Sequence, residues 1–317
     1  MSLYWGKHII AVLILLCFTA YCQAQFYSKE KCDSIYILSN SEYNKENYEH
    51  AIELLQKIIP SLEKILGRDH DEYLISLTDL CIYNAHAENY DVAIDIIKKV
   101  IKIKKKKLGE KHTEYASSIH LLALLSENIN NYQEAIIEES KALSIFEYNF
   151  GNNSLEYAES LEYLGHLNHK IGKHSNAIYY GIKALKIRDV LFKKKNEDYA
   201  IALSKISDYY ASDGQYANAI KFATEELEIK EEIFGTNSIE YAYSLGNIAL
   251  IYRLLGKYED AKLFNEKALI IGEKILGREH PSCLIWLNNL TICYYYLNNI
   301  SKAIEIAYEV LNIRKKI

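Results

Sequence analysis

His166 and His169 stand three residues apart, and Glu162 precedes His166 by four. On a helix those spacings bring two imidazoles and a carboxylate to one face, the beginning of a zinc site. A fourth ligand and a supporting shell are not evident, so the group reads as a polar wall and no metal is expected. Lys102, Lys104, Lys105, Lys106 and Lys107 suggest an anion patch. They close a helix whose last carbonyls favour cations, which makes a solvated helix end the simpler reading. The sequence contains no glycine-rich phosphate loop, no His-Glu-x-x-His pair and no nucleophile elbow. The expectation is a chain that is not an enzyme and needs no cofactor.

The composition suits a helical array. Of 317 residues only two are proline and thirteen glycine, half are hydrophobic and a quarter charged. That balance excludes disordered, collagen-like and disulfide-dense classes. A net charge of −5 lacks the basic excess of a nucleic-acid binder. Lys7 and His8 precede an apolar run from Ile9 to Phe18, followed by Cys22-Gln23-Ala24. This pattern predicts a signal peptide over residues 1–24, cleaved after Ala24, and an exported chain, periplasmic or secreted if bacterial. Tyr21 ahead of Cys22 argues against a lipidated cysteine. Membrane contact is expected only through an uncleaved leader or a C-terminal extension beyond residue 317. Four cysteines follow the leader: Cys32, Cys81, Cys283 and Cys293. The last two lie roughly 15 Å apart on one predicted helix and cannot bond to each other. Free structural thiols are expected.

The positioning elements are repeats. Ala51, Ala93, Ala135, Ala177, Ala219, Ala261 and Ala303 recur every 42 residues, with Tyr48, Tyr90, Tyr132, His174, Tyr216, Tyr258 and Ile300 three places ahead of them. Gly67, Gly109, Gly151, Gly235 and Gly277 form a second series, interrupted by Lys193. Tyr73, Tyr115, Tyr157, Tyr199 and Tyr241 form a third, with Cys283 in the last copy. Within a unit apolar residues recur at three and four, as in Leu245, Ile248, Ala249 and Tyr252, then Ala261, Phe264, Ala268 and Leu269. That is the period of two amphipathic helices, with Gly256 able to end the first. The prediction is seven helical hairpins, over about residues 28–66, 70–108, 112–150, 154–192, 196–234, 238–276 and 280–317. Alanine is expected where two helices cross too closely for a larger side chain. Pro60 falls inside the second helix of the first hairpin and is expected to bend it. A lone hairpin cannot cover its apolar faces, so the copies must stack.

The unit Tyr241-Ala242, Leu245, Asn247-Ile248-Ala249, Tyr252, Gly256-Lys257-Tyr258, Ala261, Ala268-Leu269, Leu276-Gly277 and His280-Pro281 resembles a tetratricopeptide repeat of the 42-residue kinesin light chain variety. The resemblance covers residues 28–317 and implies an all-α fold, an α-solenoid wound as a right-handed superhelix. It further implies that first helices line a concave groove that holds an extended peptide. One implied groove row is Ile37, Asp79, Leu121, Tyr163, Lys205, Asn247 and Asn289. A second is Asn40, Ile82, Leu124, His166, Asp208, Leu250 and Ile292, and a third Asp33, Ile75, Ser117, Glu159, Ile201, Tyr243 and Ile285. Asn247 and Asn289 lead the candidates, since asparagine can bond a peptide main chain. Asn288, Tyr243, Lys205, Arg253, Tyr163, His166 and Asp208 complete the implied peptide-binding set. Lys205 and Arg253 alone make a carboxylate clamp incomplete. Tyr294, Tyr295 and Tyr296 cover consecutive faces of one helix, so one of them must meet solvent or groove. The expected function is a non-catalytic scaffold for a protein or peptide ligand, with no nucleic acid or small-molecule cofactor. The alternative is the sensory input module of a signalling or transcription-regulating protein whose output domain lies outside this chain.

Overall fold

The computed structural model of the protein describes residues 26–192 and 196–316. The leader expected over residues 1–24 lies outside the described residues, as does Lys193. Among the described residues there are fourteen α-helices and no strands. They are α1 (Lys29–Asn44), α2 (Tyr48–Leu66), α3 (Asp71–His86), α4 (Tyr90–Leu108), α5 (Thr113–Asn128), α6 (Tyr132–Phe150), α7 (Leu155–Lys170), α8 (His174–Phe192), α9 (Glu197–Ser212), α10 (Tyr216–Phe234), α11 (Ile239–Leu254), α12 (Tyr258–Leu276), α13 (Pro281–Tyr296) and α14 (Ile300–Lys316). Odd-numbered helices open each pair and span 16 residues; even-numbered ones span 19, except α14. The chain forms two compact units, Met1–Glu138 and Glu139–Ile317, divided within α6. In the first unit α1 to α4 each pack on the next helix; in the second, α7 to α13 do so.

The helix ends repeat as faithfully as the apolar faces. Ser28, Ser154, Asn196 and Ser238 cap first helices by accepting the N–H of the residue three places on. His70, His112 and His280 stand in the same register and accept through Nδ1 from the residue two places on. These bonds satisfy donors that a helix start leaves orphaned. The glycine after five of the second helices, such as Gly67 at φ 93° and Gly277 at φ 86°, stops the helix in a conformation other residues avoid. α2 runs on as a helix from Tyr48 to Leu66 through Pro60, which has no N–H to donate.

Inside each pair the turn also needs a left-handed residue. That place holds Gly172, Gly214 and Gly256, but also Glu46, Glu88, Asn130 and Asn298, all with φ between 59° and 78°. A glutamate there carries a steric penalty of about 1–2 kcal/mol. Glu88→Gly is therefore expected to raise stability by about 0.5–1 kcal/mol after the extra chain entropy of glycine is subtracted. Differential scanning calorimetry checks this, and a lowered midpoint would contradict the turn geometry.

The crossing alanines are buried, with Ala51, Ala93, Ala177, Ala219 and Ala261 fully inaccessible. Their carbonyls receive the first helix directly: Ser39 Oγ donates to Ala51 O at 2.9 Å, Cys81 Sγ to Ala93 O at 3.3 Å and Ser207 Oγ to Ala219 O at 2.9 Å. At the equivalent Gly165 a Cβ would lie 3.3 Å from Ala177 O. A short donor or a bare backbone is what so close a crossing admits. This explains Cys81, whose thiol burial pushes up to about 12. Cys32, Cys81, Cys283 and Cys293 are all free and buried. In the second unit the stack is lined by Leu161, Leu203, Leu245 and Leu287, one per pair, each at most 2% exposed.

Candidate ligand face on the first helices

First helices of the second unit are buried almost all round. On α11, Ala242, Ser244, Leu245, Gly246, Ile248, Ala249 and Ile251 are buried. What remains is a stripe of exposed residues, Tyr243, Asn247, Leu250 and Leu254, at intervals of four, three and four. α9 has the same stripe in Ile201, Lys205, Asp208 and Ser212. On α13 the register holds Ile285, Asn289, Ile292 and Tyr296, with Asn289 and Ile292 half-buried. Such spacing keeps side chains on one helix face. The three rows named from sequence thus fall on the accessible stripe of these helices. One row, Ile201, Tyr243 and Ile285, is apolar and 43–57% exposed.

Lys205, Asp208 and Asn247 come together. With Leu250 and Leu254 they line a cavity of about 370 Å³ between α9 and α11, backed by Glu226 of α10. Asp208 lies 3.3 Å from Nε2 of His169. Burial holds that imidazole below its ordinary value, against the opposing pull of Asp208. His169 packs against Tyr209 with the rings tilted by 35° and their centres 5.0 Å apart.

Other expected members lie elsewhere. Tyr243 sits on the stripe with its hydroxyl 3.1 Å from Ser282 Oγ and its ring 5.8 Å from that of Trp286. Asn289 is half-buried on α13, and Asn288 and Arg253 stand beside the stripe rather than on it. The Arg253 Nε has no hydrogen-bond partner among the described residues. Tyr163 and His166 stack on α7 with ring centres 6.3 Å apart. Glu162 pairs with the Arg188 guanidinium of α8, with Nη2 3.1 Å from Oε2. The apparent zinc triad is split between an ion pair and an imidazole–carboxylate contact. Among the described residues no three His, Cys, Asp or Glu side chains are grouped to hold a metal.

In the first unit Ile37 and Ile75 are exposed, at 68% and 51%. Two polar row members there, Asp79 and Asn40, are engaged by tyrosines of the preceding or next pair, while Asp33 pairs with Lys29 and Ser117 donates to Thr113 O. Tyr36 donates to Asp79 at 2.6 Å, and Tyr83 donates to Asn40 Oδ1 at 2.6 Å. The lysine run is partly neutralised, since Lys104, Lys105 and Lys107 pair with Glu114, Glu110 and Asp71. That is a solvated helix end. Of the three consecutive tyrosines, Tyr294 donates to Glu266 at 2.9 Å, Tyr296 stacks on Tyr258 at 4.4 Å, and Tyr295 is 59% exposed.

Sequence reasoning missed Glu226, because it lies on a second helix. The signal was nevertheless present. Its register is held elsewhere by Ile58, Val100, Ala142, Ala184, Ala268 and Val310, so a carboxylate stands where six copies have an apolar side chain.

Known proteins place this architecture. One model of the tetratricopeptide repeat matches residues 198–269 and 264–316, and another matches residues 33–72. No curated protein sequence matches the chain. Among solved structures, the nearly identical TPR-like repeats of a Podosopora anserina protein assigned as a kinesin light chain are similar over 65% of this chain and 98% of theirs, at 17% identity and a TM-score of 0.61. The apo form of RapI is similar over 90% of this chain and 77% of its own, at 17% identity and a TM-score of 0.66. A Rap protein complexed with Competence and Sporulation Factor is similar over the same shares, at 16% identity and a TM-score of 0.53.

Proposed function

Because the chain belongs to the tetratricopeptide-repeat family, we propose that it is an interaction scaffold, exported and without chemistry of its own, that holds an extended peptide or protein segment on the exposed stripe of its first helices. The observation that carries this reading is the cavity shared by Lys205, Asp208 and Asn247, flanked on the same helices by the exposed apolar residues Ile201 and Tyr243. Apolar side chains left in water on otherwise buried helices gain by being covered. The Asn247 carboxamide offers both a donor and an acceptor to a main chain, and the Lys205 ammonium offers donors to carbonyls or a carboxylate. Together they bind backbone with little demand on sequence. The structural likeness to a Rap protein that carries Competence and Sporulation Factor supports the same reading.

Peptides selected from a displayed nonapeptide library on the full chain provide the test. The double substitution Lys205→Ala with Asn247→Ala is expected to weaken them about tenfold or more, the effect of losing one or two hydrogen bonds to polar or charged partners. Helical circular dichroism should be unchanged, since both side chains are exposed. Unchanged affinity in the double variant would refute this face as the binding site.

A further inference from the structure

The cavity between α9 and α11 has an unusual floor. Glu226 is 4% exposed, and it occupies a register that is isoleucine, valine or alanine in every other repeat. The Ser244 hydroxyl lies 2.8 Å from Oε1, while Oε2 has no hydrogen-bond partner among the described residues. Lys230, one turn on in the same helix, attracts Glu226 through space but forms no ion pair with it: its ammonium lies 3.5 Å from Glu197 and over the Phe234 ring. Lys205, at the cavity mouth, forms no ion pair with Glu226. A buried carboxyl with an unused oxygen destabilises a fold unless something supplies the missing partner. Burial pushes this carboxyl above its ordinary value, as expected of a group that lacks one.

The geometry points to Glu226 as the anchor for a lysine side chain of the bound segment. This deepens the scaffold reading above and rests on it. The lining beside the carboxyl is mixed: Ala211, Leu250, Ile251 and Leu254 supply apolar surface, and Asp208, already in contact with His169, supplies a second carboxylate. A lysine buries its four-carbon stem along such apolar surface and delivers a compact ammonium at its tip. One carboxylate oxygen is already occupied by Ser244, so the site suits a point charge better than the two-pronged guanidinium of arginine. Ser204 and Ser212 line the same cavity and offer hydroxyl oxygens to the remaining ammonium protons. The main chain of the segment then lies at the mouth, where Lys205 and Asn247 stand.

Degenerate nonapeptide pools with a fixed central residue test this with the full chain. The residues are lysine, Nε-acetyl-lysine and norleucine, which keep the stem and change only the tip. The wild type is expected to retain the lysine pool about tenfold or more over the other two, the gain from one charge-assisted hydrogen bond. Glu226→Gln keeps the shape and the Ser244 contact, and Glu226→Ala restores the residue of repeats three, four and six. Both are expected to remain helical and to hold the three pools equally. Equal retention of lysine and norleucine pools by the wild type would overturn the lysine site and leave the scaffold reading standing, as would a lysine preference that survives Glu226→Gln. If the wild type retains no pool, the scaffold face itself fails and the lysine site falls with it.

Discussion

Trp286→Ser is expected to destabilise the second unit by about 3–5 kcal/mol, although serine is the residue that repeats carry at positions 34, 76, 118, 160 and 244. The indole is 4% exposed and belongs to a cluster with Leu245, Leu269, Leu287 and Val310. Both helices of the preceding repeat are cut to receive it. A Cβ at Gly246 would lie 2.3 Å from the indole Nε1, and one at Gly272 would lie 2.2 Å from Cζ3. Neither glycine has positive φ, so each is glycine for space and not for backbone conformation. Removing the ring leaves a cavity lined by rigid helix backbone that cannot collapse. Conversely, Gly272→Ala alone forces overpacking that costs about 1–3 kcal/mol, more than the roughly 1 kcal/mol alanine gains in a helix. In the Trp286→Ser background the same alanine should be neutral or stabilising. Denaturant unfolding of the four proteins gives the cycle, and additivity of the two changes would show that the ring and the glycine slot are independent. Since each repeat leans only on its neighbours, hydrogen exchange should speed up in α11 to α14 first.

Glu162→Ala should lower stability by about 3–5 kcal/mol, because it strips the Arg188 guanidinium of its carboxylate. Arg188 is 7% exposed, and both Glu162 oxygens face it. Asp198 and Glu159 then attract the buried cation only through space, and a buried cation without a hydrogen-bonded carboxylate is costly, whereas replacing both partners by apolar groups of similar volume is not. Glu162→Leu with Arg188→Met is therefore expected within about 1–2 kcal/mol of the wild type, or above it. Thermal unfolding of the single and double variants decides this. A single variant that loses less than about 1 kcal/mol would reduce the pair to a surface interaction. The same result bears on the histidines nearby. With Glu162 committed to Arg188 and His169 to Asp208, the face that spacing alone suggested for a metal has no free carboxylate from Glu162 to offer.

The all-helical fold and its 42-residue period were legible because they are local properties repeated seven times. Alanine at the crossing, glycine after five of the second helices and apolar residues at three and four each report on a single hairpin, and repetition removes chance matches. The left-handed turn was only half legible. Gly172, Gly214 and Gly256 announce it, while Glu46 and Glu88 adopt the same φ under the constraint of their neighbours. The accessible rows were legible through the family resemblance, which supplied their register in one copy, and the 42-residue period carried that register to the others.

What sequence alone determined is this periodic scaffold and the faces its helices present, since both depend on contacts made by every copy alike. What only the tertiary structure decided are the departures: Glu162 bound to Arg188 rather than to a metal, Trp286 seated between two glycines 40 and 14 residues away, and Glu226 brought beneath Asn247 and Lys205. Each is a pairing between residues on different helices. Its partners become neighbours only when the hairpins stack, so no spacing along the chain could identify them.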